Sequence, residues 1–211
     1  MKRTFLSLAL AATALSPMLA TAASSVQMKV TGTIFPASCQ ITMPGGTTVD
    51  YGRIASGSLN QDKVTELGND VRANIQVSCD APTLFLIKPT DARSGTAITS
   101  TGKSSIDLYG LGQAGGVNVG AYTVTFVNPK GDGKAINVLR LDSPEKTPAK
   151  LAEVAANKFS AFGDGSGSEV VPYKLVTTDV KIATYIEKAS ALPLKGEIKL
   201  DGLTTFELVY L

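Results

Sequence analysis

The stretch that decides the fold is residues 204–211, which read Thr-Thr-Phe-Glu-Leu-Val-Tyr-Leu. Its side chains alternate between the two faces of a strand: Phe206, Leu208 and Tyr210 share one face, and Thr205, Glu207 and Val209 share the other. The stretch has no Pro, Gly or Lys, so as an edge strand it would be exposed and adhesive unless another strand covered it. We therefore predict a terminal strand that pairs along its whole length.

The first 22 residues have the features of a secretory signal peptide. Lys2 and Arg3 give a positive start, a short apolar run covers 5–15, and Ala20-Thr21-Ala22 is a small-x-small cleavage signal. The apolar run is too short for a retained membrane anchor, and no later stretch is long enough to cross a bilayer. We expect an exported mature chain, residues 23–211, with no membrane span.

The mature chain is predicted to be one all-β domain. Its length suits a single domain with a core. Gly, Ser, Thr and Val are frequent, Trp is absent, and the net charge of +2 comes from Lys and Arg that do not cluster. Nearly balanced, dispersed charge gives no support for a nucleic-acid partner.

Many short segments with strand periodicity, separated by Gly and Pro turns, predict a β-sandwich. The clearest strands are expected at 26–34, 71–79, 84–87, 121–127, 136–141, 173–176, 180–183 and 197–200. One short helix is expected at 149–159, where Thr147 can cap, Pro148 suits the first turn, and apolar residues recur at helical spacing.

Cys39 and Cys79 are the only cysteines. An even number of cysteines in an exported chain favours a disulfide, and Cys79 falls on the apolar face of its predicted strand. A metal pair or a free nucleophile is the rival interpretation. It lacks the usual co-ligand and base, because the chain has no His.

No motif in the chain indicates catalysis. Gly110, Gly112 and Gly115 spell G-x-G-x-x-G, but no helix pattern follows, so a glycine-rich loop is favoured over a dinucleotide site. The acidic loop near Asp164 lacks the spacing of a calcium-binding loop. A Ser-His-Asp triad is impossible without His, whereas a Ser–Lys or carboxylate pair stays open on composition. We expect no enzymatic activity, no cofactor and no metal.

Val30-Thr31-Gly32-Thr33-Ile34 leads to Cys39, a second cysteine follows at Cys79, and the terminal stretch reads Thr-Phe-x-Leu-x-Tyr. With these features, both ends of the mature chain resemble subunits of chaperone–usher fimbriae (pilins). Val49-Asp50-Tyr51-Gly52 and the residues around Cys79 look like the fimbrial-like family that includes the periplasmic protein GltF. The resemblance implies an immunoglobulin-like sandwich that lacks its final strand.

The resemblance also implies partners. A periplasmic chaperone, and then a neighbouring fimbrial subunit after passage through an outer-membrane usher, would add a strand along the open edge. Phe206, Leu208 and Tyr210 would form that edge. Residues 23–31 would be a donor extension, and the residues expected to fill the neighbour's groove or to lie beside it are Val26, Met28, Val30 and Gly32. The protein would then be a structural fimbrial subunit at the cell surface, involved in cell adhesion.

Two features depart from the family pattern. The family usually has a Gly about fourteen residues from the end, where this chain has Ile198, with Gly196 and Gly202 nearby. The segment before Gly32 is also short for a donor. These departures leave open a minor or tip-proximal subunit, and a secreted immunoglobulin-like module that binds carbohydrate or a receptor without polymerising.

Overall fold

A computed structural model of the protein describes residues 25–33, 38–151 and 153–211, without the side chains of Val71 and Arg72. The predicted signal peptide and its cleavage site lie outside the described residues. The chain divides into an N-terminal unit that ends at Phe35 and a second unit, Pro36–Leu211. All strands in the described residues belong to the second unit.

The second unit is built from short strands joined by turns. In chain order the strands are β1 (Cys39–Thr42), β2 (Thr65–Thr83), β3 (Phe85–Asp91), β4 (Tyr109–Gly110), β5 (Gln113–Ala114), β6 (Val117–Asn118), β7 (Gly120–Gly131), β8 (Lys134–Ala135), β9 (Asn137–Leu141), β10 (Ala149–Lys150), β11 (Phe159–Gly163), β12 (Tyr173–Ile186) and β13 (Thr204–Tyr210).

Two antiparallel sheets form the sandwich. The first has the order β1-β2-β12-β7-β4, with β8 paired to β7, and the second has the order β10-β9-β11-β3-β13. β5 and β6 form a separate hairpin. The prediction of an immunoglobulin-like β-sandwich is confirmed, and the predicted terminal strand is β13.

The main core lies between the two sheets and is closed by aromatic side chains from both. Phe126 on β7 stacks on Phe162 of β11, with ring centroids 6.4 Å apart, and Phe206 of β13 packs against Phe126 at 6.2 Å. Cys79, predicted to lie on the apolar face of its strand, is buried in this core together with Ile75 and Val77. Alternation on β2 therefore directs these side chains inward, as period-two geometry requires.

The predicted disulfide is confirmed and links β1 to β2. Cys39 lies opposite Cys79 in the antiparallel register, with 4.0 Å between the Cα atoms. Cys79 is buried and Cys39 is partly buried against the main core. The bridge therefore fixes the first strand of the sandwich, which otherwise pairs with β2 over four residues.

The predicted helix at 149–159 is wrong. Among the described residues the only helical turns are short 3₁₀ turns, at Ser56–Ser58, Ser105–Asp107 and Ala189–Ala191. In place of helical bonds, the N–H of Val154 donates to the carbonyl of Val124 at 2.9 Å, and the N–H of Ala156 donates to that of Ile106 at 2.9 Å. Hydrogen bonds to β7 and to a 3₁₀ turn thus override the local helix pattern.

The strand predicted to begin at Val26 is also wrong within 25–33, where no residue is in a strand. The alternation of this segment shows which face would be apolar in a strand, but a strand also needs a pairing partner, and the described residues provide none for it. The strand predicted at 84–87 extends as β3 to Asp91, so Pro89 lies inside it, opposite Phe206. β3 tolerates this proline because the hydrogen bonds to β13 come from Lys88 and Thr90 on either side of it, so no N–H is needed at position 89.

Candidate functional site: an open strand edge

The backbone of β13 bonds to β3 through every second residue. The N–H of Ala92 donates to the carbonyl of Leu203 at 3.0 Å, and the N–H of Leu211 donates to that of Leu84 at 3.3 Å. Hydrogen-bonded pairs alternate along an antiparallel ladder, so the odd-numbered residues between these two bonds also face β3. The N–H and C=O groups of the even-numbered residues therefore point away from β3.

This outward edge of β13 has no paired strand among the described residues, because β13 ends its sheet. The even-numbered residues on it are Thr204, Phe206, Leu208 and Tyr210. Phe206 and Leu208 are half-buried and pack against the main core, whereas Tyr210 is 49% exposed. The three residues predicted to form the open edge thus present unpaired backbone groups, and two of them have apolar side chains directed toward the core.

The opposite face of β13 is more varied than the sequence indicates. Thr205 and Glu207 are exposed, but Val209 is partly buried. Val209 packs against a separate cluster that includes Leu86 and Leu139. This face of β13 is therefore exposed to solvent at positions 205 and 207 and partly covered at position 209.

A second unpaired edge belongs to β1, which ends the other sheet. The N–H of Asp80 donates to the carbonyl of Ser38 at 3.0 Å, so by the same alternation Cys39 and Ile41 point their backbone groups away from β2. Ile41 and, beyond the strand, Met43 and Val49 are partly buried against the main core. This run supplies an apolar wall like that of β13.

The two walls meet at one end through a tyrosine. The N–H of Cys39 donates to the hydroxyl oxygen of Tyr210 at 2.9 Å, and that hydroxyl lies 3.4 Å from the Cys39 carbonyl, to which it donates. Both outward backbone groups of Cys39 are thereby satisfied by one side chain. We call the space between residues 39–54 and 196–210 the edge groove, and this contact its closed end.

The other end of the edge groove widens into a cavity of about 810 Å³, lined by 49–54 and 196–200 together with neighbouring residues that include Ile186 at the end of β12. Ile198 and Leu200 contribute partly buried apolar side chains. The edge groove is therefore narrow at Tyr210 and open at its other end, with an apolar floor between.

The wall at 49–54 is held in place by its own sequence. The Asp50 carboxylate accepts a hydrogen bond from the N–H of Gly52 at 2.7 Å, and Gly52 has a φ of 63°, which favours glycine. The hydroxyl of Tyr51 donates to that of Thr184 on β12 at 2.8 Å. The Asp-Tyr-Gly sequence thus forms a turn that anchors this wall to the first sheet.

The entry into β13 is fixed by three contacts. Arg93 binds the Asp201 carboxylate through two hydrogen bonds of 2.9 Å, and these bonds hold the pKa of Asp201 below its ordinary value. A Cβ on Gly202 would lie 2.8 Å from the ring of Tyr122, so only glycine fits there. The hydroxyls of Tyr122 and Thr204 share a 2.6 Å hydrogen bond, and burial raises the pKa of Tyr122 to about 12.

The N-terminal segment 25–33 is described by itself. Its residues lie outside any strand and are exposed, and the exposed fractions of Val26, Met28 and Val30 are 96%, 87% and 84%. Gly32 has no heavy atom of another residue within 4 Å of an added Cβ. The proposed donor residues thus form an alternating apolar face that is open to solvent.

A separate cleft of about 320 Å³ lies on the outer face of the first sheet. Thr123 and Thr125 on β7 line it, together with charged side chains that include Lys103, Glu153 and Lys181. None of these five side chains has a hydrogen bond or ion pair with the residues that the structure describes. The cleft is therefore polar, with charges of both signs available.

Two other motifs have structural roles. Gly115 and Gly116, both with positive φ, form the turn of the β5–β6 hairpin, which agrees with the glycine-rich loop interpretation. The Asp164 carboxylate accepts three hydrogen bonds from Ser166 and Gly167, which lower its pKa. In the described part of the chain, no group of three acidic, His or Cys residues could hold a metal ion. No helix there is long and apolar enough to cross a membrane.

Comparison with known proteins gives two matches. A family model described as "Protein of unknown function (DUF1120)" matches residues 28–123. The chain is 25% identical to Protein GltF of Escherichia coli (strain K12) over 242 aligned positions, which cover 96% of this chain and 94% of that protein. The similarity to GltF covers most of the chain, whereas the family match stops before β13.

The disulfide and the similarity to GltF together indicate an exported protein. Disulfides form and persist in oxidising compartments outside the cytoplasm.

The wall of the edge groove at residues 39–54, and its contact between Cys39 and Tyr210, could not be identified from sequence, since no periodic pattern marks these residues as facing β13.

Proposed function

We propose that the protein is a structural subunit of a chaperone–usher fimbria, and that a strand from another chain covers its edge groove. One observation carries the proposal. The unpaired edge of β13 lies over half-buried Phe206 and Leu208, while the same chain carries an exposed alternating segment, Val26 to Val30, outside any strand.

Strand addition would satisfy both surfaces at once. Backbone N–H and C=O groups on an unpaired edge form a template for another strand. Alternate apolar side chains of the added strand would fill the space above the groove floor, and main-chain hydrogen bonds would provide affinity. Burying apolar area is worth about 25 cal/mol per Å², so a segment with three large apolar side chains is a suitable donor.

The partners in this proposal are those that the resemblance to fimbrial subunits implies. A periplasmic chaperone would occupy the edge groove first, an outer-membrane usher would present the subunit for assembly, and a neighbouring subunit would then replace the chaperone. The assembled protein would be located in a fimbrium at the cell surface and take part in adhesion. The similarity to GltF and the Cys39–Cys79 disulfide support export; the groove geometry supports strand addition.

The test distinguishes the role of the donor segment, residues 26–30, from that of the edge groove that accepts a strand. Wild-type protein is expressed alone and with a candidate chaperone, and soluble yield and SDS-resistant oligomers are compared on unheated gels. We expect poor yield alone, rescue by the chaperone, and oligomers in the presence of the assembly machinery. Val26→Asp and Met28→Asp should abolish the oligomers without affecting chaperone binding, because only the neighbour contributes these residues.

Gln27→Asp is the matched control, since Gln27 is exposed in the same segment but points away from the apolar face of a paired strand. It should leave oligomers intact. A cooperative monomer with good yield alone, and no oligomers under any condition, would contradict the proposal.

A second candidate is a secreted ligand-binding module. The polar cleft beside Thr123 and Thr125 favours it, because hydroxyl and charged groups are the ones that bind small polar ligands such as sugars. Glycan-array binding that Thr125→Val abolishes, in a protein that stays monomeric, would favour this function over the fimbrial one.

A further inference from the structure

The N-terminal segment and β13 each carry one charged side chain on their solvent side. In 25–33 the sole ionisable side chain is Lys29, between Met28 and Val30. On β13 the only charged side chain is that of the exposed Glu207, between Phe206 and Leu208; the phenol of Tyr210 is the other ionisable group. Because side chains alternate along a strand, both charges would lie on the same face once the apolar residues of the two strands faced the core.

The shape of the edge groove determines the direction of an added strand. At the closed end, the Tyr210 hydroxyl spans the groove to Cys39, while the other end opens into the 810 Å³ cavity. The donor segment continues at its C-terminal end into its own domain. That end must therefore leave the groove through the open end. The free N-terminus therefore lies at the closed end, and the donor runs antiparallel to β13.

The register then follows from the charges. In an antiparallel pair with the apolar residues inward, Lys29 lies opposite Thr205, Glu207 or Val209. Among these three, only Glu207 has opposite charge. With Lys29 opposite Glu207, Met28 lies opposite Leu208, Val30 opposite Phe206, Val26 opposite Tyr210 and Gly32 opposite Thr204.

Glu207 is available for this contact. It makes no ion pair with any residue that the structure describes. Lys88, opposite Glu207 on β3, lies over the ring of Phe159 with its Nζ 5.9 Å from the centroid. A lysine on the outer flank would therefore place Glu207 between two cations. A shift of two residues in either direction would leave Lys29 beside an uncharged side chain.

We propose that Lys29 of one copy pairs with Glu207 of the next, and that this pair fixes the register in which a second copy of the chain fills the edge groove. The inference rests on the proposed function and adds two details to it: the partner is a second copy of this chain, and the register of the added strand against β13 is defined. Opposite charges across strands stabilise a pairing, and like charges destabilise it.

Cysteine cross-linking tests the register directly. Glu207 bonds to β3, so its pair with Lys29 is a non-hydrogen-bonded one, with Cα atoms about 4.5 Å apart, within the range for a disulfide. The double variant Lys29→Cys/Glu207→Cys should give an oligomer ladder that survives boiling without reductant. The controls are Lys29→Cys/Thr205→Cys and Lys29→Cys/Val209→Cys, whose diagonal distance of about 8 Å is too long for a disulfide.

Charge reversal tests the pair itself. Lys29→Glu or Glu207→Lys should each lower the yield of SDS-resistant oligomers roughly two- to fivefold, the size of an exposed cross-strand pair. The double reversal should restore it. Variants that act only through folding would not be rescued in this way.

Cross-linking through position 205 or 209 would overturn the register, as would an internal cross-link within a monomer or a reversal that changes nothing. All three outcomes leave the proposed function intact where wild-type oligomers form. Absence of wild-type oligomers would contradict the proposed function itself, and this inference with it.

Discussion

Replacing both bridge cysteines, Cys39→Ala/Cys79→Ala, is expected to lower the free energy of unfolding by about 4 kcal/mol. The two residues are 40 apart in sequence. The chain-entropy relation, about −2.1 − 1.5R ln n cal/mol/K, gives about −13 cal/mol/K for such a loop, which is about 4 kcal/mol at 25 °C. Truncating the buried Cys79 adds to the loss, and β1 would then be held mainly by its four residue pairs with β2.

Urea unfolding of the mature protein measures this change. Circular dichroism is the suitable signal, because the chain has no Trp. With an m value of about 1–3 kcal/mol/M, the midpoint should fall by roughly 1–4 M. Gln40→Ala, at an exposed position on the same strand, is the matched control and should change the free energy by less than about 0.5 kcal/mol. A loss below about 1 kcal/mol in the double variant, with an unchanged m value, would refute the loop-closure reasoning.

Three further predictions concern the edge groove. Phe206→Asp should cost several kcal/mol and abolish chaperone-dependent yield, because it places a carboxylate against the aromatic core, whereas Thr205→Asp, on the exposed face, should preserve both yield and melting temperature. Tyr210→Phe should cost about 1 kcal/mol in urea unfolding, since it removes the hydroxyl that joins the two walls; an unchanged midpoint would show that this contact is absent in solution. NMR titration should give Asp201 a pKa below its ordinary value, because Arg93 binds the charged form. Asp201 then stabilises the fold above its unfolded-state pKa, and that contribution is lost as pH falls through the folded-state pKa; Arg93→Gln should return the pKa toward normal.

The strands that carry a strong local pattern could be predicted from the sequence. Alternation alone identified β13 and most of the inward face of β2, because period two and burial on one face coincide there. The disulfide followed from cysteine count and export. These features depend on neighbours in sequence, so one chain read in order is enough to find them.

Features that depend on contacts between distant residues could not be predicted. The stripe at 149–159 fits a helix, yet Val154 and Ala156 bond to β7 and to a 3₁₀ turn. The second wall of the edge groove has no strand periodicity, and its bond from Cys39 to Tyr210 joins residues 171 apart. Topology, which places β1 and β13 at the ends of their sheets, brings these residues together.

The composition of β13 is itself an argument that its edge is kept free for pairing. Exposed edges are commonly blunted by Lys, Pro, a bulge or an inward-pointing charge, and β13 has none of these. Its single carboxylate, Glu207, points to the solvent side, where it leaves the backbone edge and the apolar floor accessible. Such an edge is adhesive toward any strand, so selectivity must come from features beyond hydrogen bonding. The closed end at Tyr210 limits direction, the half-buried Phe206 and Leu208 require apolar side chains at alternate positions, and Glu207 favours a cation between them. Within residues 25–33, the order Val-Gln-Met-Lys-Val supplies both the alternate apolar side chains and the cation between them.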